Sequence, residues 1–215
     1  MALQCEGALE VPEFVVTTPE NAVYAAWGLW LVSWLVAAAW ANSTVKRAGI
    51  GRETLYRVVQ LAGFVGLFAF RRGPGETDGA LVSFLYRPLW TLPDGAGWLM
   101  VGLAVAGFAF CWWARLHLGR LWSGTITRKE GHHVVDSGPY GLVRHPIYTG
   151  IFVAAIATAA IKATPLAVVG AALIILALWM KARVEEQFLA EELGREAYDS
   201  YRRRVPMLVP FVPAG

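Results

Sequence analysis

From Ser137 to Gly150 the chain reads Ser-Gly-Pro-Tyr-Gly-Leu-Val-Arg-His-Pro-Ile-Tyr-Thr-Gly, an Arg, a His and two Tyr set among prolines and glycines just before a long apolar stretch. A charged group at the edge of a bilayer is costly unless it is paired, hydrated or in use. Arg144 and His145 are therefore expected to do chemistry or to hold something that does. They fall at a helix start, where Pro146 suits the first turn. Such a position favours anions over cations, so Arg144 predicts a negatively charged partner.

Two more polar clusters are expected on the same side. Arg115-Leu-His-Leu-Gly-Arg-Leu-Trp-Ser123 puts Arg115 one turn inside the end of an apolar segment. There it reads either as an interfacial anchor or as a cation aimed at an anionic substrate group. Gly131-His-His-Val-Val-Asp-Ser-Gly-Pro-Tyr140 has the small residues of a tight loop that brings backbone groups to a ligand. In Arg183-Val-Glu-Glu-Gln-Phe-Leu, apolar residues recur at helical spacing, so the last span is expected to run on as an amphipathic helix. Glu185 and Glu186 on it read either as a solvated face paired with Lys181 and Arg183 or as members of a site. Dinucleotide and phosphate-loop fingerprints, a Gly-x-Ser-x-Gly elbow and zinc-spaced His/Glu sets are all missing, which excludes a soluble nucleotide-binding fold and gives no metal site.

The elements that must position these clusters are membrane helices. Of 215 residues, 56% are hydrophobic and 16% charged, too apolar for an ordinary soluble domain. The net charge of +3 needs no nucleic acid, because membrane proteins gather Lys and Arg on cytoplasmic loops. Cys5 and Cys111 are too far apart in expected depth to be bridged. The first twenty residues hold four Glu and no Lys or Arg, so no cleaved signal peptide is expected there. Residues 22–41, 54–70 and 97–114 read as three spans. The block 147–180 is interrupted by Lys162-Ala-Thr-Pro165 and reads as one kinked span or a hairpin. Segments 42–57, 115–144 and 181–204 carry 15 of the 19 Lys and Arg. All three belong on one side, which requires an even number of crossings between 144 and 181. The expectation is an all-α integral membrane protein of five transmembrane helices ending in a hairpin. The N-terminus lies outside, and the polar clusters and C-terminus lie in the cytoplasm. A single domain, 1–215, is expected, with spans one to three in 1–114 and the catalytic region in 115–215. Residues 80–92, broken by Arg87-Pro88, read as an interfacial turn.

Taken together, Arg-x-x-Leu-Gly-Arg-x-Trp-Ser (115–123), Gly-His-x-Val-Val-x-x-Gly-Pro-Tyr (131–140), Arg-His-Pro-Ile-Tyr-Thr-Gly (144–150), Glu-Glu-x-x-Leu (185–189) and Gly-x-x-x-Tyr-x-x-Tyr-x-x-x-Val-Pro-x-x-x-Pro (194–210) resemble the isoprenylcysteine carboxyl methyltransferase family, which shares a C-terminal region with membrane phospholipid methyltransferases. The resemblance covers about the C-terminal half. It implies S-adenosylmethionine bound without a Rossmann domain, and a lipophilic or prenylated acceptor entering from the bilayer. It implies cofactor contacts from His132, Val134, Val135, Gly138 and Tyr140, completed by His145, Pro146, Tyr148 and one or both of Glu185 and Glu186. Arg115 and either Arg183 or Lys181 would orient an acceptor carboxylate, with Arg144 and Glu186 in the catalytic set. A bacterial cytoplasmic membrane is the expected location.

Residue chemistry agrees with that implication. In-line methyl transfer from a sulfonium needs alignment and exclusion of water rather than a metal. A carboxylate acceptor is already ionised, whereas a thiol, amine or phenol would need a proton acceptor such as a Glu of the 185–186 pair. Two alternatives remain. Membrane sterol reductases that use NADPH share a related Arg-His-Pro-x-Tyr-x-Gly run but usually carry Asn and an acidic residue where this chain has Ile147 and Ile151. A non-catalytic scaffold is the other.

Overall fold

The computed structural model describes residues 18–39, 44–47, 50–70, 79–123, 127–129 and 134–212. Long helices dominate: α1 (Pro19–Ala38), α2 (Ile50–Phe68), α4 (Asp94–Leu118), α6 (Pro146–Lys162) and α7 (Pro165–Leu193). Shorter helices are α3 (Ala80–Tyr86), α5 (Pro139–Leu142) and α8 (Arg195–Arg204). Among the described residues, Pro19–Ala38, Gly95–Leu118 and Pro165–Glu192 are long and apolar enough to cross a membrane. Leu29, Val32, Leu35 and Val36 on α1 are exposed, as a lipid-facing surface requires.

Two intimate helix pairs form the frame. Helix α2 lies along α7 because Gly63, Gly66 and Gly170 let the backbones meet; a Cβ at Gly63 would come within 2.8 Å of Ile174. Helix α4 lies along α6 through Gly107 and Gly150, where an added Cβ would overlap the facing carbonyl or Cys111 Sγ. Small residues at such crossings are how apolar helices associate where lipid removes the hydrophobic driving force. Aromatic residues hold α1 against this frame: Trp27 makes edge contacts with Phe64, Phe68 and Phe108, and its Nε1 donates to Thr158 Oγ1 at 2.9 Å.

The hairpin is present. Ala163 takes a left-handed conformation (φ 51°), Thr164 caps α7 by accepting from Ala167 N, and Pro165 occupies its first turn. Lys162 Nζ donates to Tyr24 OH and to Ala69 O, each at 2.8 Å, and so ties the turn to α1 and α2. Residues 80–92 fold against the same turn, with Leu89 N donating to Ala163 O and Trp90 Nε1 to Ala160 O. The 29-residue α7 runs without a break, so the amphipathic extension is part of the span helix.

The purely helical expectation needs one correction. Strands β1 (Thr44–Arg47) and β2 (Thr127–Lys129) pair antiparallel, with Thr44 opposite Lys129 and Arg47 opposite Thr127. Both segments leave the same end of the helix bundle, and each satisfies its backbone groups on the other. Neither run is long or alternating enough to be legible alone.

Candidate active site

One cleft, of about 260 Å³, lies at the end of the bundle opposite the Lys162 turn. Its polar end is lined by Val134, Val135, Tyr140, Arg144, His145, Pro146, Tyr148, Lys181, Glu185, Tyr198 and Tyr201. Its aromatic end is made by Trp30 and Trp34 of α1 and Trp122, which contact one another, and Gln60 of α2 and Ile151 and Leu178 of the hairpin also line the cleft.

The polar end is built around a buried carboxylate. Glu186, only 4% exposed, accepts from Arg144 Nε at 2.7 Å, and His145 Nε2 lies 3.1 Å from the same oxygen. Arg202 Nε stands 3.4 Å from the other oxygen. Arg144 also donates to the carbonyls of Arg202 (3.0 Å) and Val205, which satisfies its remaining fork. The backbone adds to this grip. Arg144 N donates to Pro206 O, His145 N to Met207 O, and Thr149 Oγ1 to Leu208 O at 2.6 Å, so residues 206–208 run alongside the start of α6. The negatively charged partner expected for Arg144 is thus Glu186, 42 residues on.

Facing the cleft, Tyr148 OH donates to Glu185 at 2.6 Å, and the rings of His145 and Tyr148 stack at 5.2 Å. Lys181 Nζ sits 5.3 Å from the centre of the Tyr148 ring. Burial pushes the phenols of Tyr140, Tyr198 and Tyr201 well above their ordinary value, so they stay neutral donors. Tyr201 OH donates to Tyr140 O at 2.8 Å, which joins α8 to α5. Gly138 has φ 57°, and a Cβ there would come 2.7 Å from the His117 ring, so the turn before α5 requires glycine.

Two expected members lie elsewhere. Arg115, 2% exposed, donates to the carbonyls of Ala37 (2.7 Å) and Gly119 and lies 4.6 Å over the Trp122 ring. Its guanidinium ties the ends of α1 and α4 together instead of lining the cleft. Arg183 is exposed and packs over Trp179 at 5.7 Å, because on α7 it points a half-turn away from Lys181 and Glu185. His132 lies outside the described residues. Glu186 is no solvated helix residue. Tyr198 and Tyr201 belong to the 194–210 motif but carry no expected site role, although their one-turn spacing is a signal, and sequence reasoning missed Trp30, Trp34 and Gln60 because no signal marks them.

The helical fold is similar to that of a solved intramembrane protein. A solved structure of the eukaryotic intramembrane Ras methyltransferase ICMT superimposes with a TM-score of 0.56 at 19% identity, covering 92% of this chain and 70% of that one. Residues 100–191 match the model of the isoprenylcysteine carboxyl methyltransferase (ICMT) family, the family resembled by the motifs of the C-terminal half. Protein-S-isoprenylcysteine O-methyltransferase of Schizosaccharomyces pombe is 33% identical over 139 residues, 62% of this chain and 54% of that protein. Methanethiol S-methyltransferase 2 of Bradyrhizobium diazoefficiens is 34% identical over 135 residues, 57% and 50% respectively. The chain thus spans about half the length of these relatives.

Proposed function

We propose that this chain is an integral membrane methyltransferase that uses S-adenosylmethionine to methylate the carboxylate of a lipophilic, isoprenylcysteine-like acceptor. The observation that carries this reading is a cleft lined both by charged, hydrogen-bonding side chains and by a tryptophan cluster. That pairing suits a polar donor meeting a greasy acceptor. The names of both relatives support methyl transfer, and that of the Schizosaccharomyces pombe relative supports an isoprenylcysteine acceptor.

When bound, S-adenosylmethionine supplies a methyl group on a sulfonium. The residues present fit it: Glu185 offers a carboxylate for its ammonium group, neutral Tyr198 offers a donor, and the Tyr198 and Tyr201 rings line the cleft. Val134, Val135, Tyr140, His145, Pro146 and Tyr148 complete the wall, with Gly138 shaping the turn and His132 in the same proposed set. Arg144 and Glu186 act as positioning residues, since their charges satisfy each other while their neighbours face the cleft. Lys181 is the cation that places the acceptor carboxylate. A carboxylate, with a reference pKa of about 4, gives up no proton, so the chain's work is alignment and exclusion of water. For a thiol acceptor, Glu185 is the proton acceptor, a second reading favoured by its bond from Tyr148.

In the membrane, α1, α2, α4, α6 and α7 make five crossings within one domain, with the N-terminus outside and the cleft at the cytoplasmic face of a bacterial inner membrane. Support comes from the segments 42–57, 115–144 and 181–204, whose Lys and Arg belong on one side of the membrane.

The test is equilibrium binding in lipid nanodiscs. Saturable S-adenosylmethionine binding that Arg144→Ala weakens at least tenfold, with base-labile methyl ester formed on an S-prenylcysteine, is the expected result. Binding of NADPH alone would overturn the proposal.

A further inference from the structure

The aromatic wall of the cleft reaches beyond the segment that matches the family model. Arg144, His145, Tyr148, Lys181 and Glu185 all fall within residues 100–191, the segment that matches the family model. Trp30, Trp34 and Gln60 fall outside it. Helix α1 therefore adds Trp30 and Trp34 to an aromatic wall whose third tryptophan, Trp122, lies in the matched segment.

That end of the cleft is short and walled. Trp30 stacks on Phe108 at 5.3 Å and meets Trp34 at 5.1 Å, and Trp34 meets Trp122 edge-on at 5.5 Å. Trp112 Nε1 donates to Ser33 Oγ at 3.1 Å and fixes α1 against α4, while Arg115 lies over Trp122. Beyond Trp30 the way is blocked. Trp27, 6% exposed and held by Thr158, packs on Phe64, Phe68 and Phe108, and there α1 and α2 are joined by their rings. From Trp34 to Trp27 is seven residues of α1, about 10 Å of helix. Among the described residues the cleft measures about 260 Å³, near the lower bound of roughly 300 Å³ for ordinary ligand pockets.

Building on the methyl-transfer reading, we infer that this enzyme selects a compact acceptor, whose apolar part is no longer than about two isoprene units and lies against Trp30, Trp34 and Trp122. Trp30 is the residue that sets the limit, because it stands between the open cleft and the aromatic seal at Trp27. A longer chain has to leave sideways into lipid and loses contact with the wall.

The experiment uses the full chain in nanodiscs with N-acetyl-S-alkylcysteines bearing one, two or three isoprene units. Methyl transfer reads kcat/KM, and quenching of tryptophan fluorescence reads binding without any transfer. The wild-type protein is expected to prefer the one- or two-unit acceptor to the three-unit acceptor by at least tenfold. Trp30→Ala and, separately, Trp34→Leu should shrink that ratio at least threefold by improving the longest acceptor, with S-adenosylmethionine affinity unchanged as the check on folding. A wild-type optimum at three units overturns the inference even if neither variant folds. Equal ratios in wild type and both variants overturn it as well. Length-dependent binding without labelled product sinks the methyl-transfer reading and leaves the wall standing. Product formed equally at all lengths does the reverse.

Discussion

The polar and aromatic ends of the cleft are held by different forces. At the polar end a buried carboxylate, two arginines, a histidine and a run of backbone carbonyls satisfy one another, so geometry is specified by hydrogen bonds. At the aromatic end, ring packing and one cation over Trp122 set the shape, so geometry is specified by volume. Directional bonds tolerate almost no substitution, whereas packed rings can be exchanged with a change in cavity size. On the methyl-transfer reading proposed above, cofactor recognition is the rigid part and acceptor choice the adjustable one.

The hardest blow to that contrast is Glu186→Gln, which leaves Arg144 and Arg202 without a compensating charge in a buried site. A loss of about 3–5 kcal/mol is expected, read as a lower melting temperature in detergent together with lost cofactor binding. If the melting temperature holds, the polar end is not the rigid one. Next comes Arg115→Met, which frees two carbonyls and removes the cation over Trp122, a cost of about 1–3 kcal/mol. Steady-state kinetics should show a raised acceptor KM while cofactor affinity stays put; a cofactor defect instead would merge the two ends. Tyr148→Phe removes the bond to Glu185 but keeps the ring over His145. A fall of about 3- to 10-fold in kcat/KM is expected, corresponding to roughly 0.5–1.5 kcal/mol. Smallest is Arg204→Ala, which breaks an exposed pair with Asp136 at 3.1 Å. Its effect on melting should stay below about 1 kcal/mol, and a larger one would extend the rigid region onto the outer face of α8.

How far the sequence could be read follows the same division. The hairpin was legible because Lys162-Ala-Thr-Pro165 combines a cation, an N-cap and a proline in one break. The start of α6 and an anionic partner for Arg144 were legible because a cation at a helix N-terminus makes sense only when neutralised. Choosing between Glu185 and Glu186 needed coordinates, since neighbours on a helix point about 100° apart and only α7's rotation decides which is buried. Trp30 and Trp34 were hidden because α1 is apolar on every side, so nothing distinguishes a lipid-facing tryptophan from one facing the cleft. Arg115 was read as a substrate cation or an anchor, and the nearby carbonyls of Ala37 and Gly119 decided for the anchor.

The run of residues 206–208 beside Arg144 and His145 has a consequence for the timing of synthesis. Arg144 draws its carbonyl partners from residues 202 and 205, and the backbone at 144–145 draws its own from 206 and 207. While the ribosome is still inserting the hairpin, none of these partners exists, and the Arg144–Glu186 cluster is unassembled. That cluster therefore matures only when α8 and residues 205–207 leave the ribosome and fold back. A chain halted before residue 205 can be fully threaded through the bilayer and still have no site.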